Sequence, residues 1–165
     1  MIIDKTRLLF RRASADDTVI LTENRIVFLT ETYGERPPEK IAALRKSLKD
    51  YFSRAFENNT FIAWIAEYDN KPVGFSGIVI REQPGNFDTI NGKTGYILNM
   101  FTLQEFRKNG ICRMLFQKLL DEAVLSGLDK VELHATSDGE PVYRQFGFTD
   151  PHDKALEILY SDKPL

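Results

Sequence analysis

The sequence predicts a mixed α/β fold, an α+β sheet with helices on its faces, in the order β-α-α-β-β-β-α-β-α-β-β. Three observations predict it. Two β-rich runs, TFIAWIAEY and VGFSGIVI, are joined by Asp69-Asn70-Lys71-Pro72, a hairpin signal. A third β-rich run, GYILNMFTL (Gly95 to Leu103), leads through a helical pattern into KVELHAT, and such a strand–helix–strand crossover implies a parallel pair. Two further helical patterns lie upstream. The chain has 165 residues, read as one domain over 1–165 with a core large enough to fold without disulfides or metals.

In chain order, LLFRRAS (Leu8 to Ser14) reads as the first strand. Ser14 and Asp17 have the spacing of a capping box, with Asp in place of Glu. The helix that follows is expected to bury Val19, Ile20, Ile26 and Val27. GERPP punctuates the chain, and a second helix from about Glu39 carries Ile41, Leu44, Leu48, Phe52 and Phe56 at helical spacing. Within the hairpin, Gly74 and Gly77 allow close approach to the backbone. The stretch Arg81 to Thr94 is a long polar loop of the kind that often carries function. The third helix has an apolar stripe of Ile111, Met114, Leu115, Leu119 and Val124, and Gly127 stops it. EPVYRQFGF reads as a short helix ending at Gly147, and ALEILY as the last strand. Trp64, Phe52, Phe56, Phe61 and Phe75 read as core.

Composition excludes several classes. A net charge of −2 and a pI of about 5.8 argue against a nucleic-acid binder. One cysteine cannot form an internal disulfide, which points to a reducing compartment, and zinc-type spacing is missing. Neither a signal peptide nor an apolar run of membrane-spanning length is visible. The expectation is a soluble cytoplasmic protein without metal.

Against that acidic balance, FRKNGICRML (Phe106 to Leu115) stands out. Between Glu105 and Lys118 there are four basic residues and one acid, where a helix begins. The first amides of a helix have no partner within it and carry partial positive charge, so a helix start attracts anions. Gly110 lets backbone approach a phosphate. The pattern is neither GxxxxGK[S/T] nor GxGxxG. On the residues alone, the stretch reads equally as a phosphate cradle or as a solvated basic helix start.

A resemblance weighs on that choice. Residues 95–148 resemble the GNAT superfamily of N-acetyltransferases, whose turn pattern is R/Q-x-x-G-x-G/A. Here it stands as Arg107-Lys108-Asn109-Gly110-Ile111-Cys112, with Cys112 where Gly or Ala is usual. Tyr143-Arg144-Gln145-Phe146-Gly147-Phe148 is similar to the family's Y-x-x-x-G-F ending. The order of strands and helices extends the likeness more weakly over the rest of the chain. The resemblance implies a GNAT-like fold in which GYILNMFTL and KVELHAT splay apart around acetyl-CoA. It implies pantetheine along Met100, Phe101 and Thr102, and pyrophosphate on the N–H groups of Lys108, Asn109, Gly110, Ile111, Cys112 and Arg113. Thr136 falls where the family often has an Asn that contacts the coenzyme.

The implied reaction is direct attack of a primary amine, of a small molecule or peptide, on the thioester. Asn99 and Phe101 would lie beside the thioester, and a backbone N–H there would polarise its carbonyl. Tyr143 is the family position for the acid that protonates the leaving thiolate. The base stays open among Glu67, Glu82, Asp88 and His134. Cys112 is expected to pack, with a thiol made reactive by the helix start. The acceptor site is expected from the first two helices and the Arg81–Thr94 loop. A homodimer is left open by the resemblance. A non-catalytic acyl-CoA sensor and an unrelated α/β phosphate binder are the competing readings.

Overall fold

In the computed structural model, which describes residues 2–160, Asp69 and Asn70 both adopt positive φ, 51° and 61°. Two consecutive left-handed residues make the tight turn that suits a twisted hairpin, and Asp and Asn tolerate it best after glycine. The turn joins strands β2 (Phe61–Tyr68) and β3 (Lys71–Glu82), so Lys71 and Pro72 belong to the strand. Strand β1 (Leu8–Arg12) pairs antiparallel with β2, and β4 (Lys93–Thr102) pairs antiparallel with β3. Strand β5 (Lys130–Leu133) pairs parallel with β4. The sheet order is β1-β2-β3-β4-β5, identical to the chain order.

Two helices cover one face. Helix α1 (Thr18–Tyr33) is entered through a 3-10 turn at Ala15–Asp17, where the Ser14 N–H donates to the Asp17 carboxylate at 2.9 Å. The capping box is thus present, and it ends β1 at Arg12 instead of the expected Ser14. Helix α2 (Pro38–Glu57) places a proline at its start, where the missing N–H costs nothing. Leu21, Ile26, Leu48, Phe52 and Ala55 meet Phe61, Ala63, Ile65, Phe75 and Phe101 of the sheet. Val19 and Val27 do not join them, being 58% and 41% exposed. Thr22 is buried in their stead, donating its hydroxyl to the Thr18 carbonyl at 2.8 Å, which a count of apolar side chains misses. Phe52, Phe61 and Phe75 are core, as their spacing indicates; Phe56 and Trp64 pack at its margin.

Helix α3 (Ile111–Leu125) covers the other face. It buries Ile111, Leu115, Phe116, Leu119 and Ala123, while Met114 and Val124 face outward. Gly74 makes this packing close: a Cβ there would stand 2.9 Å from Ile111 Cγ2 and 3.1 Å from Leu115 Cδ1.

Residues 2–134 form one compact unit and 135–160 a second. The second holds helix α4 (Glu140–Gln145), with Gly147 at φ 91° after it. KVELHAT forms a strand only to Leu133. The two strands expected after α4 are not present among the described residues: from Ala155 to Tyr160 no pairing exists, and Leu156, Ile158, Leu159 and Tyr160 are all exposed. An apolar run becomes a strand only where a neighbouring strand takes its backbone groups.

Candidate active site

The pairing of β4 changes along its length. Its first half pairs with β5, from Thr94↔Lys130 to Ile97↔Leu133, and there β5 ends. From Leu98 to Thr102 the strand keeps β3 on one side and, among the described residues, no strand on the other. At the point of divergence β4 also bulges. Gly77 pairs with Leu98 and Phe75 with Phe101, so Asn99 and Met100 together oppose Ser76. Asn99 takes φ 58° to do this, a conformation Asn adopts more readily than most residues.

The bulge sends Phe101 to the α1 face, where its ring meets Phe28 edge-on at 6.0 Å. Met100 turns to the α3 side. The Asn99 side chain is buried and accepts a hydrogen bond from the Arg25 guanidinium on α1. At the end of β4, Thr102 Oγ1 is buried without a hydrogen-bond partner among the described residues. A buried hydroxyl left unmatched costs free energy.

The chain leaves β4 through a 3-10 turn at Gln104–Phe106 and reaches α3 at Gly110. Lys108 and Gly110 both take positive φ, 63° and 81°, and the space where a Gly110 Cβ would project is open. Two side chains of this turn work inward. The Arg107 guanidinium donates to the Thr102 carbonyl at 2.8 Å and pairs with Glu31 at 2.5 Å, tying the turn to β4 and α1. Asn109 accepts from the Ile3 N–H at 3.3 Å and donates to the Phe106 and Arg107 carbonyls at 3.0 and 3.1 Å. Both residues therefore shape the turn with their side chains, and the Arg107 guanidinium stays partly exposed. Cys112 is half-buried, and burial pushes its thiol up, against the expected activation by the helix start.

Above the bulge, the sheet face carries Tyr96, whose hydroxyl hydrogen-bonds His134 Nδ1 at 2.7 Å just past the end of β5. Arg81 lies over the Tyr96 ring at 4.2 Å and pairs with Glu132 at 3.4 Å. The other three base candidates are elsewhere. Glu67 pairs with Arg11 toward the β1 edge, Glu82 pairs with Lys93, and Asp88 sits in the β3–β4 loop. That loop folds on itself around Asn86 and is held to the end of α3 through Asn91 and Gly127. It lies at the Lys93 end of β4, about 20 Å of strand from Asn99, so it does not build the neighbourhood of the bulge.

In the second unit Thr136 and Tyr143 meet around Gly139. The Thr136 carbonyl accepts from the Gly139 and Glu140 amides at 3.0 and 2.9 Å, capping α4. A Cβ at Gly139 would stand 3.2 Å from the Tyr143 hydroxyl and 3.3 Å from Thr136 Oγ1. Tyr143 itself is buried.

Sequence reasoning missed Arg25, Glu31 and Tyr96. Arg25 had a signal: it lies at i+4 from Leu21 and three before Phe28, so a cation sits within an inward-facing apolar stripe. Among the described residues, no group of three or more His, Cys, Asp or Glu gathers to hold a metal, and no helix is long and apolar enough to cross a membrane.

Residues 26–148 match the model of the acetyltransferase (GNAT) family. A predicted acetyltransferase from Clostridium acetobutylicum, crystallised with acetyl-CoA, is 32% identical, with 92% of this chain and 96% of that one covered and a TM-score of 0.83. A GCN5-related N-acetyltransferase from Ralstonia eutropha JMP134 is 24% identical over 92% of this chain and 98% of that one, with a TM-score of 0.80. Glucosamine-6-phosphate N-acetyltransferase from Arabidopsis thaliana shares the fold at 16% identity, over 92% and 97% of the two chains, with a TM-score of 0.63. Among curated proteins, none matches by sequence.

Proposed function

The chain belongs to the acetyltransferase (GNAT) family, and on that premise we propose that it transfers the acetyl group of acetyl-CoA to a primary amine of a small molecule or peptide. The observation that carries the reading is the free edge of β4 from Leu98 to Thr102, which leads directly into the Gly110 turn. The two features fit the two halves of coenzyme A. The free edge, with its main-chain groups from Leu98 onward, suits the amides of pantetheine, which would add to the sheet as a further strand. The amides from Lys108 to Arg113, with Gly110 leaving open space, suit the pyrophosphate. The family resemblance adds Thr136 as a further proposed coenzyme contact.

In this reading the amine attacks the thioester carbonyl carbon, a C–N bond forms, and the C–S bond breaks. The Phe101 N–H stabilises charge on the carbonyl oxygen. Asn99 acts through the bulge it makes possible, since its side-chain oxygen is already engaged by Arg25. His134 takes the proton from the amine, steadied by the Tyr96 hydroxyl, and Tyr143 protonates the departing thiolate. The protein acts in the cytoplasm as one catalytic domain over 1–165, without a metal.

The test is calorimetric titration with acetyl-CoA, with ATP and NADH as controls. Gly110→Glu puts negative charge into the cradle, and Gly110→Asn keeps the left-handed backbone at low cost without charge. Binding of acetyl-CoA alone, lost in Gly110→Glu and kept in Gly110→Asn, supports the site. Thiol release with amines, reduced about 100-fold or more in Tyr143→Phe, supports the chemistry. Binding without any thiol release would turn the reading to a non-catalytic acyl-CoA sensor.

A further inference from the structure

Arg25 is a half-buried cation with no anion paired to it among the described residues. Burial disfavours its charge, and the groups that act on it electrostatically are the phenols of Tyr51, Tyr96 and Tyr33. Its hydrogen-bond partner is the neutral Asn99 side chain, and no carboxylate among the described residues pairs with it. Of the carboxylates of α1 and its entry turn, Asp17 pairs with Arg11, Glu23 with Arg45 and Glu31 with Arg107, and Asp16 is exposed. Arg81, a further guanidinium near this face, shares the Glu132 carboxylate with Lys130, at 3.4 and 3.0 Å. Arg25 stays partly exposed, while the gap it lines beside Leu21, Phe28, Phe75 and Phe101 is too narrow to admit a water molecule, so a ligand meets its exposed part.

A guanidinium stays protonated even when partly desolvated, so this position holds one uncompensated positive charge. Keeping such a charge costs stability, and sites of this kind are retained where a ligand completes the pair. Position specifies the ligand. Arg25 touches the residue that forms the β4 bulge, which the acetyl-transfer reading puts beside the thioester. A carboxylate on the remaining guanidinium nitrogens would sit about 3 Å from them, within reach of the same centre. The single charge of Arg25 suits a monoanion.

We propose that Arg25 receives the carboxylate of the acceptor, which makes the acceptor a primary amine that also carries a carboxylate. The proposal rests on the acetyltransferase reading for the amine and stands on Arg25 alone for the carboxylate.

The test uses the full chain and a panel of paired ligands: α-amino acids, β-alanine and γ-aminobutyrate, each beside its primary amide. Thiol release from acetyl-CoA gives KM and kcat for acid and amide. Calorimetric titration of each pair onto the protein needs no turnover. At least one acid binds and reacts, and its amide is weaker by on the order of tenfold or more. Arg25→Gln abolishes that preference with the loss mainly in KM, and Arg25→Lys restores part of it. Melting separates a structural role: Arg25→Gln melts at or above the wild-type temperature, whereas a cation needed only to brace Asn99 would leave the variant less stable. The proposal is overturned if acid and amide bind equally, if the preference survives Arg25→Gln, if no acid in the panel binds, or if Arg25→Gln melts lower. A chain that prefers acids through Arg25 and binds no acetyl-CoA loses the acetyl-transfer reading and keeps the carboxylate site. One that acetylates acids and amides alike does the reverse.

Discussion

Replacing Gly74 with alanine adds one methyl group where β3 meets α3. That methyl would stand 2.9 Å from Ile111 Cγ2 and 3.1 Å from Leu115 Cδ1, and those side chains are only 1% and 0% exposed. Neither can swing into solvent. Two effects oppose. Alanine restricts the unfolded chain, which favours folding by about 0.4–1 kcal/mol at a compatible backbone. Overpacking a filled core costs about 1–3 kcal/mol. The second prevails, for a net loss of about 1–2 kcal/mol, and at about 2–4 °C per kcal/mol for a chain of this size Tm falls by about 2–8 °C. Urea unfolding followed by circular dichroism measures it. Leu115→Ala provides the control, because it removes one of the two crowded atoms. In the double variant the two losses do not add, and the coupling is about 1 kcal/mol in the stabilising direction. Because Ile111 is also the first residue of α3, the proposed coenzyme site predicts that acetyl-CoA affinity falls in Gly74→Ala as well. A Gly74→Ala protein as stable as the wild type, or strict additivity with Leu115→Ala, would refute the packing argument.

Three further outcomes are expected. Arg11 holds the Asp17 carboxyl below the usual carboxylate range, so the folded chain takes up that proton at lower pH than the unfolded chain. The pair's contribution is full above an unfolded carboxyl pKa of about 4 and is lost as pH falls through the lower folded value; Arg11→Met costs about 2 kcal/mol at pH 7 in urea titrations, and the difference narrows below about pH 4. Cys112, its thiol pushed up by burial, reacts with iodoacetamide at pH 7.5 on the order of tenfold more slowly than free cysteine, measured by mass spectrometry. Asn70→Gly, at φ 61° in the hairpin turn, raises stability by about 0.5 kcal/mol in the same urea assay, and Asn70→Val lowers it.

The parts of the fold that were legible depended on short-range chemistry. Asp69-Asn70 marked its hairpin because few residues tolerate two positive φ angles in succession. Gly110 marked the start of α3 for the same reason, and Ser14 with Asp17 marked the entry to α1. What depended on neighbours distant in the chain was not legible. Val19 and Val27 have the apolarity of a buried face, yet the sheet lies on the side of Thr22. ALEILY has strand composition and no strand. Met114 and Val124 continue a stripe that Phe116 and Ala123 complete instead. At the site, the turn motif marked Arg107 and Asn109, but whether their side chains point outward or brace the turn depends on Glu31, Thr102 and Ile3. Arg25 gains its meaning only because Glu23 and Asp17 have other partners.

The identity of sheet order and chain order bears on synthesis. Each of the first four strands meets its neighbour as soon as the next one emerges, so β1 to β4 can assemble while residues beyond 103 are still being made. At that stage Ala66, Val73 and Gly74 lie bare on the underside, because α3 and β5 come later. The nascent chain is therefore most prone to aggregation just before the Gly110 turn emerges. Slowing translation downstream of Leu103 would lengthen that exposure, whereas codons that speed passage through Leu125 would shorten it.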